Sequence, residues 1–465
     1  MQSNDNRIKV LAEAPVLKAI FTMAIPVMLG MIVEILYNLV DTFFIGKLND
    51  VNQLAASNVG FPFFMIVMAI GGVIGVGASS VISRYLGMKK TKEAGEIVGL
   101  SIYLAAAIGA VVMVLTLIFL DPICGLLGAH DAVALPTKQY LLPLVLGSVL
   151  LVTNFALGMM VRAEGAATQS MTGMMIGSVT NIILNPTLIF GLGLGITGSA
   201  LATVLANTAA LLWYVRFYAK KSLLKVSFGK RVWTSEYIRQ IFSIGIPAGL
   251  NQGLMSVSNI ITNNLVAAYG ATSLASMGVA LKVNSMVILL LVGLAVGCQP
   301  LFGFNYGARN KARLRSILKT SMLAAFILGT TMLIIFTLTG KHIIAIFSSI
   351  PEVVAQGSYV LTAVSSAAPV IGIVMITMNC LQAFGKSVPS LILSTGRQGL
   401  YYIPLLFTLN AIFGFHGLVF TQPIVDVLML ITATAMLRYV FRKDPVLNGK
   451  ETASEAVARP AEAQV

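Results

Sequence analysis

Long apolar runs alternate with short polar clusters along almost the whole chain, and the length of the runs sets the first expectation. A helix needs about 20 apolar residues to cross a bilayer. Runs of that order lie at 16–46, 54–83, 94–120, 135–161, 167–192 and 196–218, and again at 238–268, 273–304, 314–338, 352–384, 388–412 and 415–440. The surplus length of several predicts tilt or bending. Pro26, Pro186, Pro247, Pro369 and Pro404 predict kinks, because each removes a backbone donor from a helix.

The polar clusters between the runs carry the orientation. When alternate clusters are placed on the same side, 26 Lys and Arg residues, Arg84, Arg162, Arg309 and Lys386 among them, fall on one side, against Lys47, Lys138 and Lys341 on the other. The positive-inside rule then puts both termini in the cytoplasm and the chain in the plasma (bacterial inner) membrane as a multi-pass protein. The formal charge of +14 is thereby a topology signal rather than the footprint of a nucleic-acid partner. Lys282 and Arg397 fall inside runs, and the role of Lys282 is open. The first run is too long, and too polar just before it at Glu13, for a cleavable signal peptide, so it is expected to stay as the first span.

Composition narrows the class. With 57% hydrophobic and 10% charged residues and a mean hydropathy of +0.89, no water-soluble fold could hide the apolar surface. Cys124, Cys298 and Cys380 lack metal-site or disulfide spacing. His130, His342 and His416 are dispersed, and no G-x-x-x-x-G-K-[ST] motif is present, which argues against an enzyme, a structural metal, a cofactor and direct ATP drive.

The chain also repeats itself. A shift of about 220 residues lays Ala24-Ile25-Pro26 on Gly245-Ile246-Pro247, Tyr85-Leu86-Gly87 on Asn305-Tyr306-Gly307, Ala163-Glu164-Gly165 on Ala383-Phe384-Gly385, and Gly195-Ile196-Thr197-Gly198 on Gly414-Phe415-His416-Gly417. Six spans separate equivalents, so both halves enter the membrane in the same sense. The expected fold is an all-α polytopic membrane protein, with twelve transmembrane helices in two six-helix lobes related by pseudo-twofold symmetry along the membrane normal. The lobes are placed at 1–219 and 238–442, with a cytoplasmic linker at 220–237 and a disordered tail at 443–465. Two such lobes suit a secondary carrier that rocks around a central cavity.

Ionisable residues inside spans are costly, about 2.5–3.5 kcal/mol on insertion scales, so they face a cavity or a partner. Glu34, Asn38 and Asp41 share one face of the first helix at helical spacing. Either carboxylate, withdrawn from water there, is suited to reversible proton capture, so Asp41 and Glu34, with Asn38 between them, are the expected carriers of cation coupling. Asn181 and Asn185, one turn apart on the fifth helix, and Thr203 on the sixth lie at a similar depth to Asp41 and form a candidate cation cage, open to H+ or Na+. The alternative is that these groups only lock neighbouring helices. Arg397 and Asp426 are expected to form a structural ion pair. Tyr37, Gln252, Met255 and Met286 are candidates for a substrate cavity, although methionines also serve ordinary packing.

The run Asn38-Leu39-Val40-Asp41-Thr42-Phe43-Phe44-Ile45-Gly46 after Ile25-Pro26 resembles the first helix of multidrug and toxic compound extrusion (MATE) transporters. Arg162-Ala163-Glu164-Gly165, Asn181-Ile182-Ile183-Leu184-Asn185-Pro186, Gly195 to Thr203 and Gln299 to Ala308 extend the likeness over nearly the whole chain, most similar to the bacterial DinF/MepA-like branch. The resemblance implies export of cationic or amphipathic compounds in exchange for H+ or Na+ by alternating access, with Asp41, Asn181 and Thr203 at the family's cation-site positions. Asn185 departs, standing where the family usually has an aspartate. The alternative is a flippase for lipid-linked precursors, which would favour a basic cavity. The expected partners are small amphipathic molecules and membrane lipids, with a functional monomer.

Overall fold

In the computed structural model, residues 2–229 and 232–448 are described. The described chain is helical almost throughout. Six spans come first: Val16–Gly46, Val51–Gly87, Thr91–Ile118, the bent pair Asp131–Leu146 and Ser148–Ala163, Ala167–Gly191 and Gly195–Lys220. Ser235–Ala267, Ala271–Gly307, Lys311–Phe347, the bent pair Pro351–Ser365 and Ala368–Ala383, and Ser387–Lys443 follow. The last stretch holds two spans, because the backbone breaks at Gly414, whose φ of 58° lies in the left-handed region that glycine tolerates. This gives twelve spans in two lobes. The seventh, Ser235–Ala267, is the least obvious by hydropathy, since Asn251, Gln252, Asn259, Asn263 and Asn264 interrupt its apolar run.

Breaks fall in corresponding places in the two halves. The fourth and tenth spans bend by 57° and 42°. The fifth and eleventh each contain a π-helical turn, Thr187–Gly191 and Gly396–Leu400, although these two do not correspond, the first closing its span and the second lying about midway along its own. Gly165 and Gly385 end the fourth and tenth spans in the left-handed conformation, at φ 77° and 76°. Pro26 and Pro247 sit inside their helices as expected. Pro369 does not interrupt a helix: it lies in the first turn of Ala368–Ala383, where a missing N–H costs nothing, and the bend precedes it.

The lobes meet closely at the ends of the second and eighth spans on the Lys/Arg-rich side. A β-carbon on Gly307 would run into the Arg84 carbonyl oxygen, and one on Gly87 into the Phe304 carbonyl oxygen. These two contacts are reciprocal under the repeat, as a twofold seam requires. A short helix that the apolar pattern does not show, Gln2–Ala12, spans the same seam. On one lobe Arg7 lies 3.9 Å from Glu164 and donates to the Lys221 carbonyl. On the other, Asn305 Nδ2 and Arg313 Nε donate to the Leu11 carbonyl at 3.0 and 3.3 Å.

Each lobe also clasps the segment that leaves its last span. Glu164 accepts from Ser222 Oγ and the Leu223 N–H, both at 2.9 Å, while Lys386 pairs with Asp444 at 2.7 Å. The clasp is the same and the charge is reversed. Burial pushes the Glu164 carboxyl up to about 7 in spite of these donors and Arg7. Residues 443–448 are packed rather than free, with Asp444 and Leu447 buried; the rest of the expected tail, 449–465, lies outside the described residues.

Candidate cation site and central cavity

Asp41 lies in the half of the first span farther from the Lys/Arg-rich side and is held by its neighbours from two helices. Ser199 Oγ on the sixth span donates to Asp41 Oδ1 at 2.7 Å, and Asn185 Nδ2 on the fifth donates to the same oxygen at 2.9 Å. Asn185 Nδ2 also reaches Asn181 Oδ1 at 2.9 Å, and Asn181 Nδ2 points to Thr203 Oγ1 at 3.3 Å. Asn181, Asn185, Ser199 and Thr203 are buried, and Asp41 is half-buried. The structure thus brings Asp41, Asn181, Asn185 and Thr203 into one network.

Asn185 Oδ1 is buried and has no hydrogen-bond partner. An acceptor left in this way costs about 1–3 kcal/mol unless something positive meets it. The network that Asn185 belongs to also holds the Asp41 carboxylate, Asn181 Oδ1 and the Thr203 and Ser199 hydroxyls, all hard oxygen donors of the kind that suit a small cation. The set contains one acid, so it is no multi-carboxylate metal centre, and no cluster of three His, Cys, Asp or Glu occurs among the described residues.

Asn181 joins this network to a cavity of about 490 Å³ between the lobes, within the usual range for drug-sized ligands. Glu34, Tyr37 and Gln252 line it, as do Met31, Met65, Met68, Met159, Met174 and Phe155. The glycine seam closes it on the Lys/Arg-rich side. Met255 and Met286 do not line it. Each lies three residues, about 4.5 Å of helix rise, farther from the Lys/Arg-rich side than the nearest lining residue on its span, Gln252 and Leu289 respectively, and Met286 is 45% exposed. The side chain of Asn38 lies outside the described residues.

Two site residues escape a reading of the sequence. Ser199 is one turn before Thr203 on the same helix face, a spacing that was available to find it. Arg162 is assigned by the charge count to a loop; it is instead buried in the last turn of the fourth span and lines the cavity, donating from Nη1 to Ser170 Oγ at 3.0 Å. In the other lobe Arg397 Nε donates to Asp426 Oδ1 at 2.9 Å and Gln422 Nε2 to the same oxygen at 3.2 Å, so that pair is self-contained. Lys282 is exposed.

Twelve spans, two repeated lobes and a closed-floored central cavity define a multi-pass membrane transporter. A family model described as MatE matches residues 26–187 and again 247–408, so the second match starts and ends 221 residues after the first. The chain belongs to the MatE family. It is 32% identical over 440 residues to the multidrug export protein MepA of Staphylococcus aureus, covering 94% of this chain and 97% of that protein. It is 30% identical over 439 residues to MepA of Staphylococcus saprophyticus, with the same coverage. Among solved structures, the outward-facing conformation of a multidrug resistance MATE family transporter superposes with a TM-score of 0.87 at 25% identity, covering 96% of this chain and 98% of that one. A MATE transporter in the bent conformation superposes with a TM-score of 0.89 at 25% identity, covering 96% and 99%.

Proposed function

We propose that this transporter exports cationic or amphipathic organic compounds in exchange for H+ or Na+ by alternating access, as a monomer with both termini in the cytoplasm. The observation that carries the coupling is the unpaired Asn185 Oδ1 beside Asp41, at one end of a network whose other end, Asn181, opens on the cavity. A cation arriving from outside finds an acid and a vacant acceptor together. Once Asp41 is protonated or metal-bound, its Oδ1 is a weaker acceptor for Ser199 and Asn185, which loosens the first helix from the fifth and sixth. That is a direct route from ion binding to the shape of the cavity. The names of the Staphylococcus relatives support export of many compounds, and the methionine-rich lining supports loose recognition, since thioethers repack around different shapes.

The test is dye efflux from reconstituted vesicles under pH and Na+ gradients imposed separately. Drive by one gradient names the ion; drive by neither ends the antiporter reading. A flippase for anionic lipid-linked precursors is the second reading, and Arg162 is the feature that speaks for it. Glu34 on the same wall speaks against a purely basic cavity.

A further inference from the structure

The cavity wall of the amino-terminal lobe carries two side chains of opposite charge, the buried Arg162 and the half-buried Glu34. Glu34 faces the cavity midway along the first span. Arg162 faces it from the last turn of the fourth span, nearer the glycine seam. Arg162 is 8% exposed and is anchored from behind: Ser170 Oγ, which receives its Nη1, donates in turn to the Gly158 carbonyl at 2.9 Å, and Tyr214 donates to the Ser170 carbonyl at 2.9 Å. The guanidinium is thus fixed while its remaining N–H groups, five in all on such a group, are more than Ser170 can use. The facing lobe offers only Ala248, Gly249, Gln252, Leu289, Val292 and Val296, none of them charged.

This arrangement bears on which molecules the cavity favours. A ligand with a single positive charge gains Glu34 but must approach Arg162 through an apolar lining that screens little. A ligand with a cationic and an anionic group meets both wall charges with the right sign, and a carboxylate can take two N–H bonds from a guanidinium. We propose that Arg162 is a specificity-determining residue that makes the cavity prefer zwitterionic amphiphiles, their carboxylate toward Arg162 and the seam and their cation toward Glu34. The inference rests on the export reading above, and names the substrate class of the same cavity.

A matched pair of dyes isolates the carboxylate. Rhodamine 110 carries a free carboxylate and a delocalised cation, and rhodamine 123 is its methyl ester, cationic only. Binding to the purified protein in nanodiscs, followed by fluorescence anisotropy at pH 7.5, should favour the acid over the ester by about tenfold, the worth of one charge-assisted contact. Arg162→Gln should erase that preference and leave ester binding equal or tighter, whereas Arg162→Lys should keep part of it. Glu34→Gln should weaken both dyes while leaving the acid-to-ester ratio in place. A wild-type protein that binds both dyes equally overturns the proposal, and so does an Arg162→Gln variant that keeps the tenfold ratio. If Arg162→Gln does not fold, the wild-type ratio and the Arg162→Lys variant still decide. Failure of the export reading is separate: it shows as absence of gradient-driven efflux of either dye, whatever the binding ratio.

Discussion

Asn185 Nδ2 donates to Asp41 Oδ1 at 2.9 Å, and the oxygen of the same amide, Asn185 Oδ1, is left without a donor. The pairing gives Asn185 two roles at once. Its nitrogen steadies the carboxylate, and in the coupling proposed above its oxygen is the acceptor offered to a cation. An aspartate at 185 would place two carboxylates in contact, of which one would have to keep a proton. With asparagine, a single acid carries the charge, so in the mechanism proposed above coupling by this network rests on Asp41 alone.

Asp41→Asn should therefore abolish gradient-driven efflux while leaving dye binding to the detergent-purified protein within about twofold, because the cavity does not include Asp41 and an amide oxygen still accepts from Ser199 at modest cost. Efflux assays in proteoliposomes paired with anisotropy titrations separate the two. Full coupled transport by the variant would place coupling elsewhere.

Asn185→Ala removes both the donor to Asp41 and the unpaired acceptor. Affinity for the coupling ion should fall by about tenfold, the worth of one charge-assisted bond, with a matching rise in the driving gradient needed for half-maximal efflux. Ser199→Ala keeps the acceptor and should cost less. Equal effects of the two would argue that Asn185 only positions the acid.

The reciprocal contacts of Gly307 with Arg84 and Gly87 with Phe304 hold the lobes together on the Lys/Arg-rich side. Gly307→Val puts side-chain atoms where a carbonyl oxygen now sits, so the seam should open. Ser83, fully buried where its hydroxyl meets Gly303 across the seam, is the natural place for a reporter cysteine. With Ser83→Cys in a background lacking Cys124, Cys298 and Cys380, a membrane-impermeant maleimide should label the introduced cysteine in inside-out vesicles of the Gly307→Val variant and not of the parent. Labelling that stays absent would show that the seam closes in another way.

Glu164 predicts a pH dependence of stability. Burial raises its carboxyl in the folded protein from an ordinary 4.5 to about 7, so folding favours the protonated form. Its penalty is absent below about pH 4.5, grows as pH rises toward 7, and is complete above that. Thermal unfolding in detergent should show stability falling across this window by an amount on the order of 3 kcal/mol. Glu164→Gln should flatten the fall; an unchanged slope would assign it to other groups.

For Arg397 and Asp426 the comparison of single and double variants is informative. Removing one partner strands a buried charge and should cost about 3–5 kcal/mol, seen as poor accumulation and a lowered melting temperature, whereas Arg397→Met with Asp426→Leu should recover most of it. If the double variant folds but no longer couples, the pair does more than hold the eleventh span to the twelfth.

The repeat clarifies why only one lobe has an acid site. At the 221-residue offset given by the two family matches, Asp41 and Asn181 fall on Thr262 and Tyr402. Those two touch directly, Thr262 Oγ1 lying 2.9 Å from the Tyr402 hydroxyl, whereas Asp41 reaches Asn181 through Asn185. The polar cross-link between the first and fifth helices of each lobe is thus kept, and only its charge is lost in the second.

The number of spans, the repeat and the isolated acids of the first helix were legible in the sequence, because each follows from a property that accumulates along the chain: hydrophobic length, order at a fixed offset, and the cost of a charge in lipid. Asp41 with Asn181, Asn185 and Thr203 was legible too, since helical spacing and depth leave those residues few other places to be. What lines the cavity was decided by the tertiary structure. Arg162 sits where a span meets a loop, and one turn of helix separates a topology signal from a buried wall charge. Met255 and Met286 have the right chemistry at the wrong depth, by about one turn. Helix rotation and depth are set by how neighbouring helices pack, as at Gly87 and Gly307, and no run of apolar residues records which partner will lie against it.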